Sequence, residues 1–262
     1  MNKKYTTELS KGQGMVDETI TLLNVWSPGM SSQELISKAV SEGILSKATA
    51  IRTKDIVSRQ FTHRYLINGD RPAYQLKCLL LDGIPLSKIR QMLLIHTARA
   101  NRILHDYICH VYWSKYQAAQ QGVTKEDALQ FIRKAVNNGL TITRWSENMI
   151  DRVARYLNGC LYDFGLVEDT TGEIRRFTHY RIERATALYL TYDIHFSGHN
   201  DTSILHNVDW QLFGLEPMDV RYELERVSPG FFMMQFAGDL LRVTWKHKTM
   251  EDALHAIAAA EL

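Results

Sequence analysis

The residues of this 262-residue chain that could act on a ligand are mainly cations on helix faces, not a catalytic set. Many enzymes that handle nucleotides, esters or peptides carry a phosphate-binding GxxxxGK[ST], a GxSxG nucleophile turn or an HExxH metal motif. None of the three occurs in the sequence. Cys109 and His110 are adjacent, so their side chains diverge on a helix and do not pair a nucleophile with a base. We therefore expect no enzymatic activity, no catalytic residue and no cofactor.

One pair of histidines has the spacing of metal ligands. His195 and His199 are four residues apart, with Asp193 and Asp201 beside them, and imidazoles at this spacing share a face of a helix. Gly198 argues against a helix there, so the shared face is not assured. We expect no metal site and keep a metal-dependent nuclease only as an alternative.

The cations with the clearest pattern lie between Trp145 and Phe177, a stretch that predicts a helix followed by a β-hairpin wing. Ser146 is suited to cap the start of the helix, and Gly165 is suited to end it, because glycine turns left-handed without a steric clash. At about 100° per residue, the apolar side chains collect on one side, namely Ile150, Val153, Leu157, Cys160, Leu161 and Phe164.

The opposite side of this helix carries Arg152 and Arg155, together with Asn148 and Tyr162. We expect Leu166 and Val167 to form a strand, residues 169–172 to turn, and residues 174–177 to return as the partner strand. The returning strand would carry two further cations, Arg175 and Arg176. A basic helix face beside a basic hairpin suits a nucleic-acid duplex, although winged helices also have surfaces that are merely solvated.

A second basic face is predicted near the N-terminus. Two short helices precede a third, from about Thr49 to Leu66, which makes the order helix-turn-helix-like. On a helical wheel Arg52, Arg59 and His63 form a stripe opposite the apolar side, and a solvated helix face would look much the same. Weaker DNA-contact candidates on a long helix predicted from Leu86 to Gln120 are Lys88, Arg99 and Arg102.

The helix-and-wing pattern occurs again near the C-terminus. A helix over 217–227 precedes strands over 231–237 and 240–245 joined at Gly238-Asp239, a favoured two-residue turn. The predicted fold is mainly α, a helical bundle with helix-turn-helix or winged-helix-like modules and short β-hairpin wings. We expect a basic N-terminal domain over residues 1–140 and a C-terminal domain over 141–262, containing winged-helix-like units at about 141–195 and 201–262.

Charge divides the sequence into two halves. Up to Arg144 there are 20 Lys and Arg against 11 Asp and Glu, and beyond it 11 against 18. A basic half favours a polyanionic partner and an acidic half another partner, or the halves simply attract each other. Three dispersed cysteines indicate reduced thiols, and no apolar run reaches the roughly 18 residues of a membrane span. We expect a cytoplasmic protein with no membrane contact and no small-molecule substrate.

Several short stretches resemble one known family. They are Thr6–Ser10, Met30–Leu35, Trp145–Glu147 with Asp163–Val167, Asp209–Leu215, and Ala237–Asp239 with Arg242–Lys246. Together they are similar to the BrxA family of accessory proteins in bacteriophage-exclusion (BREX) defence systems. The resemblance implies a mainly helical protein with winged-helix-like modules that binds double-stranded DNA without base chemistry, in a complex with other BREX defence proteins.

The sequence thus favours a non-enzymatic DNA-binding accessory protein that contacts mainly phosphates. Two other interpretations stay open. The chain could be a protein–protein adaptor within the defence complex with no nucleic-acid contact, or it could bind RNA.

Overall fold

The structure is a computed structural model that describes residues 4–67, 69–168, 172–238 and 240–260. Within these ranges the chain is mainly helical and contains two antiparallel two-stranded sheets, which confirms the predicted mainly α class. No helix of the described residues is long and apolar enough to cross a membrane.

The helices and strands follow in chain order. They are α1 Val16–Val25, α2 Ser32–Ser41, α3 Ala50–Asp55, α4 Arg71–Leu81, α5 Leu86–Ala100, α6 Arg102–Tyr107, α7 Trp113–Gln117, β1 Gly122–Thr124, α8 Lys125–Asn137, α9 Glu147–Asp163, β2 Ile174–Arg176, α10 Arg184–Phe196, α11 Asp201–Leu205, α12 Pro217–Val227, β3 Phe232–Ala237, β4 Leu240–Trp245 and α13 Met250–Ala259. Two π-helical segments continue α3 and α6, over Ile56–Leu66 and Ile108–Tyr112, and two 3-10 segments span Glu8–Lys11 and Val208–Phe213.

Side-chain caps fix where several helices begin, as their sequences predict. Thr124 and Asp127 form a reciprocal capping box at the start of α8, and the Ser146 hydroxyl accepts from the backbone N–H of Met149 at the start of α9. Such caps satisfy backbone donors that the first turn of a helix leaves unpaired. They set the ends of α8 and α9 that the candidate site uses.

The prediction of a single long helix from Leu86 to Gln120 is wrong. Asn101 interrupts it with φ −129° and ψ 83°, and its side-chain amide donates to the Thr97 carbonyl at 2.9 Å. Asparagine side chains compete in this way with the backbone ladder of a helix. The chain therefore forms α5 and α6 as separate helices.

The chain divides into two compact units, one formed by residues 1–72 and 93–180, the other by residues 73–92 and 181–262. This division differs from the predicted boundary after residue 140. The reason is that α8, before the boundary, packs against α9, after it, within the first unit. The predicted boundary would place these two helices in separate domains.

In the first unit, Arg64 on the π-helical continuation of α3 is 4% exposed. Its guanidinium donates to the carbonyls of Gly12, Gln13 and Gly14 at 3.0, 2.7 and 2.9 Å. The same loop donates the Gly14 N–H to Asp163, the last residue of α9, at 2.8 Å. Burial raises the pKa of Asp163. This loop thus ties the C-terminal end of α9 to the N-terminal helices.

Part of the strand pairing predicted after α9 is present. Val167 bridges Phe177 antiparallel, with the Glu168 N–H donating to the Arg176 carbonyl at 2.9 Å and the Thr178 N–H to the Leu166 carbonyl at 3.1 Å. The returning strand β2 also pairs on its other side with β1, in the register Gly122↔Arg176 to Thr124↔Ile174. The turn predicted over residues 169–172 has its first three residues outside the described ranges.

In the second unit, β3 and β4 form the predicted hairpin, paired from Phe232↔Trp245 to Ala237↔Leu240. Asp239 of its predicted turn lies outside the described residues. Side chains at the start of α11 bond the other edge of β4: Asp201 accepts from the Val243 N–H at 2.8 Å and Thr202 from the Leu241 N–H at 3.1 Å. Side-chain oxygens therefore take the place of a third strand on that edge.

Gly122→Ala should destabilise the first unit by about 2 kcal/mol or more, because overpacked sites must shift backbone. A Cβ at Gly122 would lie 2.0 Å from the backbone oxygen of Arg175. Urea unfolding would measure the loss. Gly172→Ala is the control, since a Cβ there meets nothing within 4 Å; equal stability of the two variants would contradict the described β1–β2 pairing.

Candidate nucleic-acid interface

The outward face of α9 is the basic surface that the sequence predicts. Asn148, Arg152, Arg155 and Tyr162 are exposed, and the Arg155 side chain retains 64% of its accessible surface. The predicted inward residues are all buried, namely Ile150, Val153, Leu157, Cys160, Leu161 and Phe164. The apolar face therefore orients α9 so that both arginines reach solvent.

Asn158 is a polar residue on the buried side of α9, and it joins the elements around the site. Its amide oxygen accepts from the Tyr107 hydroxyl at 2.8 Å, and its amide nitrogen donates to the Thr124 carbonyl at 3.2 Å. Its backbone carbonyl accepts from the Arg175 guanidinium at 3.3 Å. The positions of α6, the β1–α8 junction and β2 are thus all set against one turn of α9.

A cavity of about 450 Å³ opens where these elements meet. Three cations line it, one each from the start of α8, from α9 and from β2: Lys125, Arg155 and Arg175. The rest of the lining is formed by Thr124, Glu126, Leu129, Asn158, Gly172 and Glu173. Since α8 begins at Lys125, the positive end of the helix dipole adds to the cationic character of the cavity.

An acidic side chain of the protein already contacts two of these cations. Asp151 lies 2.5 Å from the Lys125 ammonium and 3.3 Å from the Arg155 guanidinium. The hydrogen bond from Lys125 lowers the pKa of Asp151, so the carboxylate is ionised at neutral pH. All three side chains are well exposed, and exposed ion pairs are weak and readily exchanged. An incoming phosphate can therefore compete with Asp151 for both cations.

The sequence predicted Arg155 and Arg175 separately, and the structure brings them to one cavity. Arg152 is exposed on the same face of α9, and Arg176 is exposed on β2. Arg176 follows Arg175 on a strand, so their side chains point to opposite faces. Lys125 was not predicted as a site residue, although a cation next to the Thr124 cap signal places positive charge at a helix start.

The N-terminal stripe of Arg52, Arg59 and His63 rested on regular α-helical periodicity. From Ile56 the helix is π-helical, with i→i+5 bonding that changes the angle between successive side chains. Arg59 pairs with Asp55 at 3.3 Å, and Arg52 and His63 are half-buried. A stripe drawn at 100° per residue therefore does not describe this helix.

Of the three weaker candidates, Lys88 and Arg99 lie on α5 and Arg102 lies on α6. Arg102 pairs with Asp106 at 3.1 Å and lies over the Tyr5 ring. Arg99 is exposed near the end of α5 in the first unit, while Lys88 is half-buried near its start in the second. Arg102 therefore has a clear structural role.

In the second unit, the helix that precedes the hairpin pairs its cations internally. On α12, Arg221 pairs with Glu225 at 3.1 Å, and Arg226 pairs with Glu223. The Arg221 guanidinium also lies 3.9 Å from the centre of the Phe236 ring on β3. This surface therefore lacks the open basic face of α9.

The described residues contain no group of three or more His, Cys, Asp or Glu side chains arranged to hold a metal ion. Cys109 does have a histidine nearby, but it is His105, whose ring nitrogens lie 3.7 and 3.9 Å from the sulfur. His105 also contacts Asp106 at 3.2 Å. The i,i+4 spacing of His105 and Cys109 is the sequence signal for this contact, which the adjacent pair Cys109 and His110 does not reveal.

Comparison with known proteins identifies the family. The family model BrxA matches residues 3–192, and the chain therefore belongs to the BrxA family. Membership implies a protein associated with BREX defence, as the sequence resemblance predicted. No curated protein matches the chain.

A solved structure shares the fold. It is the crystal structure of an uncharacterized protein from Magnetospirillum magneticum, which is 14% identical, with a TM-score of 0.60. The match covers 74% of this chain and 95% of the other. At this identity the likeness concerns the fold alone.

Asn158→Ala should lower the free energy of unfolding by about 2 kcal/mol, because it leaves the buried Tyr107 hydroxyl without its acceptor. Tyr107→Phe should cost less, and the double variant should cost clearly less than the sum of the two. Chemical denaturation of all three variants measures the coupling. Tyr116→Phe is a control at a nearby tyrosine; strict additivity of Asn158→Ala and Tyr107→Phe would show that their hydrogen bond does not stabilise the site.

Proposed function

We propose that this chain is a non-enzymatic, cytoplasmic accessory protein of a BREX system that binds double-stranded DNA mainly through phosphate contacts. Family membership supports the BREX association. The single observation that carries the DNA-binding proposal is the cavity where Lys125, Arg155 and Arg175 meet beside the exposed face of α9.

The order of elements supports a winged-helix module in the first unit. After the helices α6 and α7, the chain forms β1, then α8 and α9, then the paired segments around Val167 and Phe177 with β2. The wing returns to pair with β1. In helix-turn-helix proteins the second helix of the motif enters the major groove, while the first crosses the backbone. By that analogy α9 is the recognition helix.

The chemistry of the cations fits a phosphodiester. Arginine offers several donors in a rigid fork that matches phosphate oxygens, and lysine adds a point charge. Arg152 lies on the exposed face of α9, where it can reach a groove or a backbone. Because such contacts release counterions, they give affinity that depends steeply on salt and little on sequence.

The Arg155→Ala/Arg175→Ala double variant should test this proposal. If each arginine contacts one phosphate, the slope of log affinity against log salt should fall by about 1.8. Fluorescence anisotropy on a random-sequence duplex over a salt series measures this, with thermal unfolding as a check, because Arg175 also bonds the Asn158 carbonyl. The control is Arg242→Ala/Lys246→Ala, an equal loss of charge on the hairpin of the second unit.

Wild-type protein that fails to bind duplex at low salt would overturn the proposal. Tighter binding of structured RNA than of duplex DNA in competition would favour the RNA-binding alternative instead.

A protein-binding role for the second unit is the second candidate function. On α12, Met218 and Tyr222 are 58% and 63% exposed, with Asp219 and Glu225 exposed beside them. Carboxylates repel a DNA backbone, whereas exposed apolar side chains suit a protein surface. Retention of defence-complex association by the Arg155→Ala/Arg175→Ala variant, and its loss in Tyr222→Ala, would support an adaptor role for this unit.

Asp151→Asn should raise duplex affinity by about fivefold at low salt, because it removes the carboxylate that competes with phosphate for Lys125 and Arg155. The control is Glu147→Gln, the same loss of charge on the same helix, where the carboxylate pairs instead with Arg133. Binding titrations of both variants at matched salt measure the effect. Equal gains in the two would mean that only total charge matters, and not competition at the cavity.

A further inference from the structure

A second cavity in the first unit, of about 410 Å³, is separate from the site described above. It lies at the C-terminal end of α8, beside the segment that leads to α9. Its lining is formed by Lys4, Val136, Asn137, Gly139, Thr141, Ile142, Thr143 and Arg144.

Backbone pairing between distant segments builds this cavity. The Tyr5 N–H donates to the Leu140 carbonyl at 2.7 Å, and the Ile142 N–H donates to the Tyr5 carbonyl at 3.1 Å, which makes a parallel bridge between Tyr5 and Thr141. Gly139, with φ +65°, turns the chain out of α8. The pairing brings Lys4 beside the segment that contains Thr143 and Arg144.

The charged side chains that line this cavity are both positive. Lys4 and Arg144 line it, and no carboxylate is among the lining residues. Within residues 4–67, 69–168, 172–238 and 240–260, neither of these cations forms an ion pair. The first cavity is different, because Glu126 and Glu173 line it and Asp151 contacts its cations.

Thr141 adds a hydroxyl group to the lining of the cavity. The residue as a whole is only 5% exposed, so its position is fixed by the surrounding backbone. A threonine hydroxyl can donate one hydrogen bond to an anionic oxygen.

We propose that this cavity binds a phosphate group. Arg144 can donate two parallel hydrogen bonds to its oxygens, Lys4 supplies a second positive charge, and the hydroxyls of Thr141 and Thr143 can donate to the remaining oxygens. The phosphate can come from a nucleic-acid backbone or from a free phosphate compound. The inference goes beyond the proposed function, because it concerns a different cavity and does not require that the first one binds DNA.

Titration of ¹⁵N-labelled protein with inorganic phosphate, at an ionic strength held constant with sodium chloride, tests the inference. Wild-type protein should show saturable shifts of the backbone amides of residues 141–144 in the millimolar range. Arg144→Ala should weaken this binding at least tenfold, while Lys134→Ala, which removes a cation of α8 that does not line the cavity, should leave it unchanged.

Thr141→Val separates a ligand-binding role from a structural one. Removal of the hydroxyl should leave the free energy of unfolding unchanged in phosphate-free buffer, and yet phosphate binding should weaken severalfold. Substantial destabilisation without phosphate would show that the hydroxyl has a structural partner and would overturn this part of the argument.

A parallel titration with duplex DNA identifies the source of the phosphate. Shifts of the same amides by duplex, lost in Arg144→Ala, would assign it to the nucleic-acid backbone; shifts with inorganic phosphate alone would assign it to a free compound. The inference is overturned if inorganic phosphate gives no saturable shift in the wild type, or if Thr141→Val and Arg144→Ala both leave that shift unchanged.

Discussion

The hydrogen bonds of the buried Asn158 side chain fix the geometry on which the candidate interface depends. A buried amide costs free energy unless its donors and acceptor are paired, and here Tyr107 and the Thr124 carbonyl pair it. These partners lie on α6 and at the β1–α8 junction, while the backbone of the same residue accepts from Arg175 on β2. The requirement to satisfy one amide therefore places the start of α8 and the returning strand beside α9.

Electrostatics within this arrangement limit how strongly the site attracts an anion. Asp151 bridges Lys125 and Arg155, so the cations are held near each other before any ligand arrives. A phosphate must replace this carboxylate, which weakens binding to any polyanion. The acid thus preorganises the cations and competes for them. In the second unit, both arginines of α12 are likewise paired with carboxylates, which are glutamates of the same helix.

Sequence patterns predicted those parts of the fold that follow from local physics. The helix α9 was predictable because Ser146, Gly165 and a continuous apolar face all indicate the same element. The hairpin of β3 and β4 was predictable from alternation. In contrast, Gly122–Thr124 is too short a strand to show a pattern, and asparagine is a residue type usually found on the surface, so the sequence gives no sign that Asn158 is buried. The π-helical geometry beyond Ile56 also has no simple sequence signal. Regular α-helical periodicity therefore could not predict on which face of the helix Arg52, Arg59 and His63 lie.

At the candidate site, too, the local features were predictable from sequence and the tertiary contacts were not. Arg155 and Arg175 were predicted from separate elements, but their meeting with Lys125 depends on tertiary packing between segments that were assigned to different domains. Arg64 shows the reverse case, because a cation in a basic helix is buried to bind the carbonyls of Gly12–Gly14. Charge alone therefore does not separate a ligand-binding arginine from a structural one.

The most direct test of the central claim is an experimental structure of the protein bound to a duplex of about 20 base pairs. We predict that α9 lies in the major groove, that Arg152 reaches the DNA, and that a backbone phosphate occupies the cavity between Lys125, Arg155 and Arg175 in place of Asp151. A complex in which the duplex lies on another surface, with α9 open to solvent and Asp151 still paired with both cations, would contradict the account.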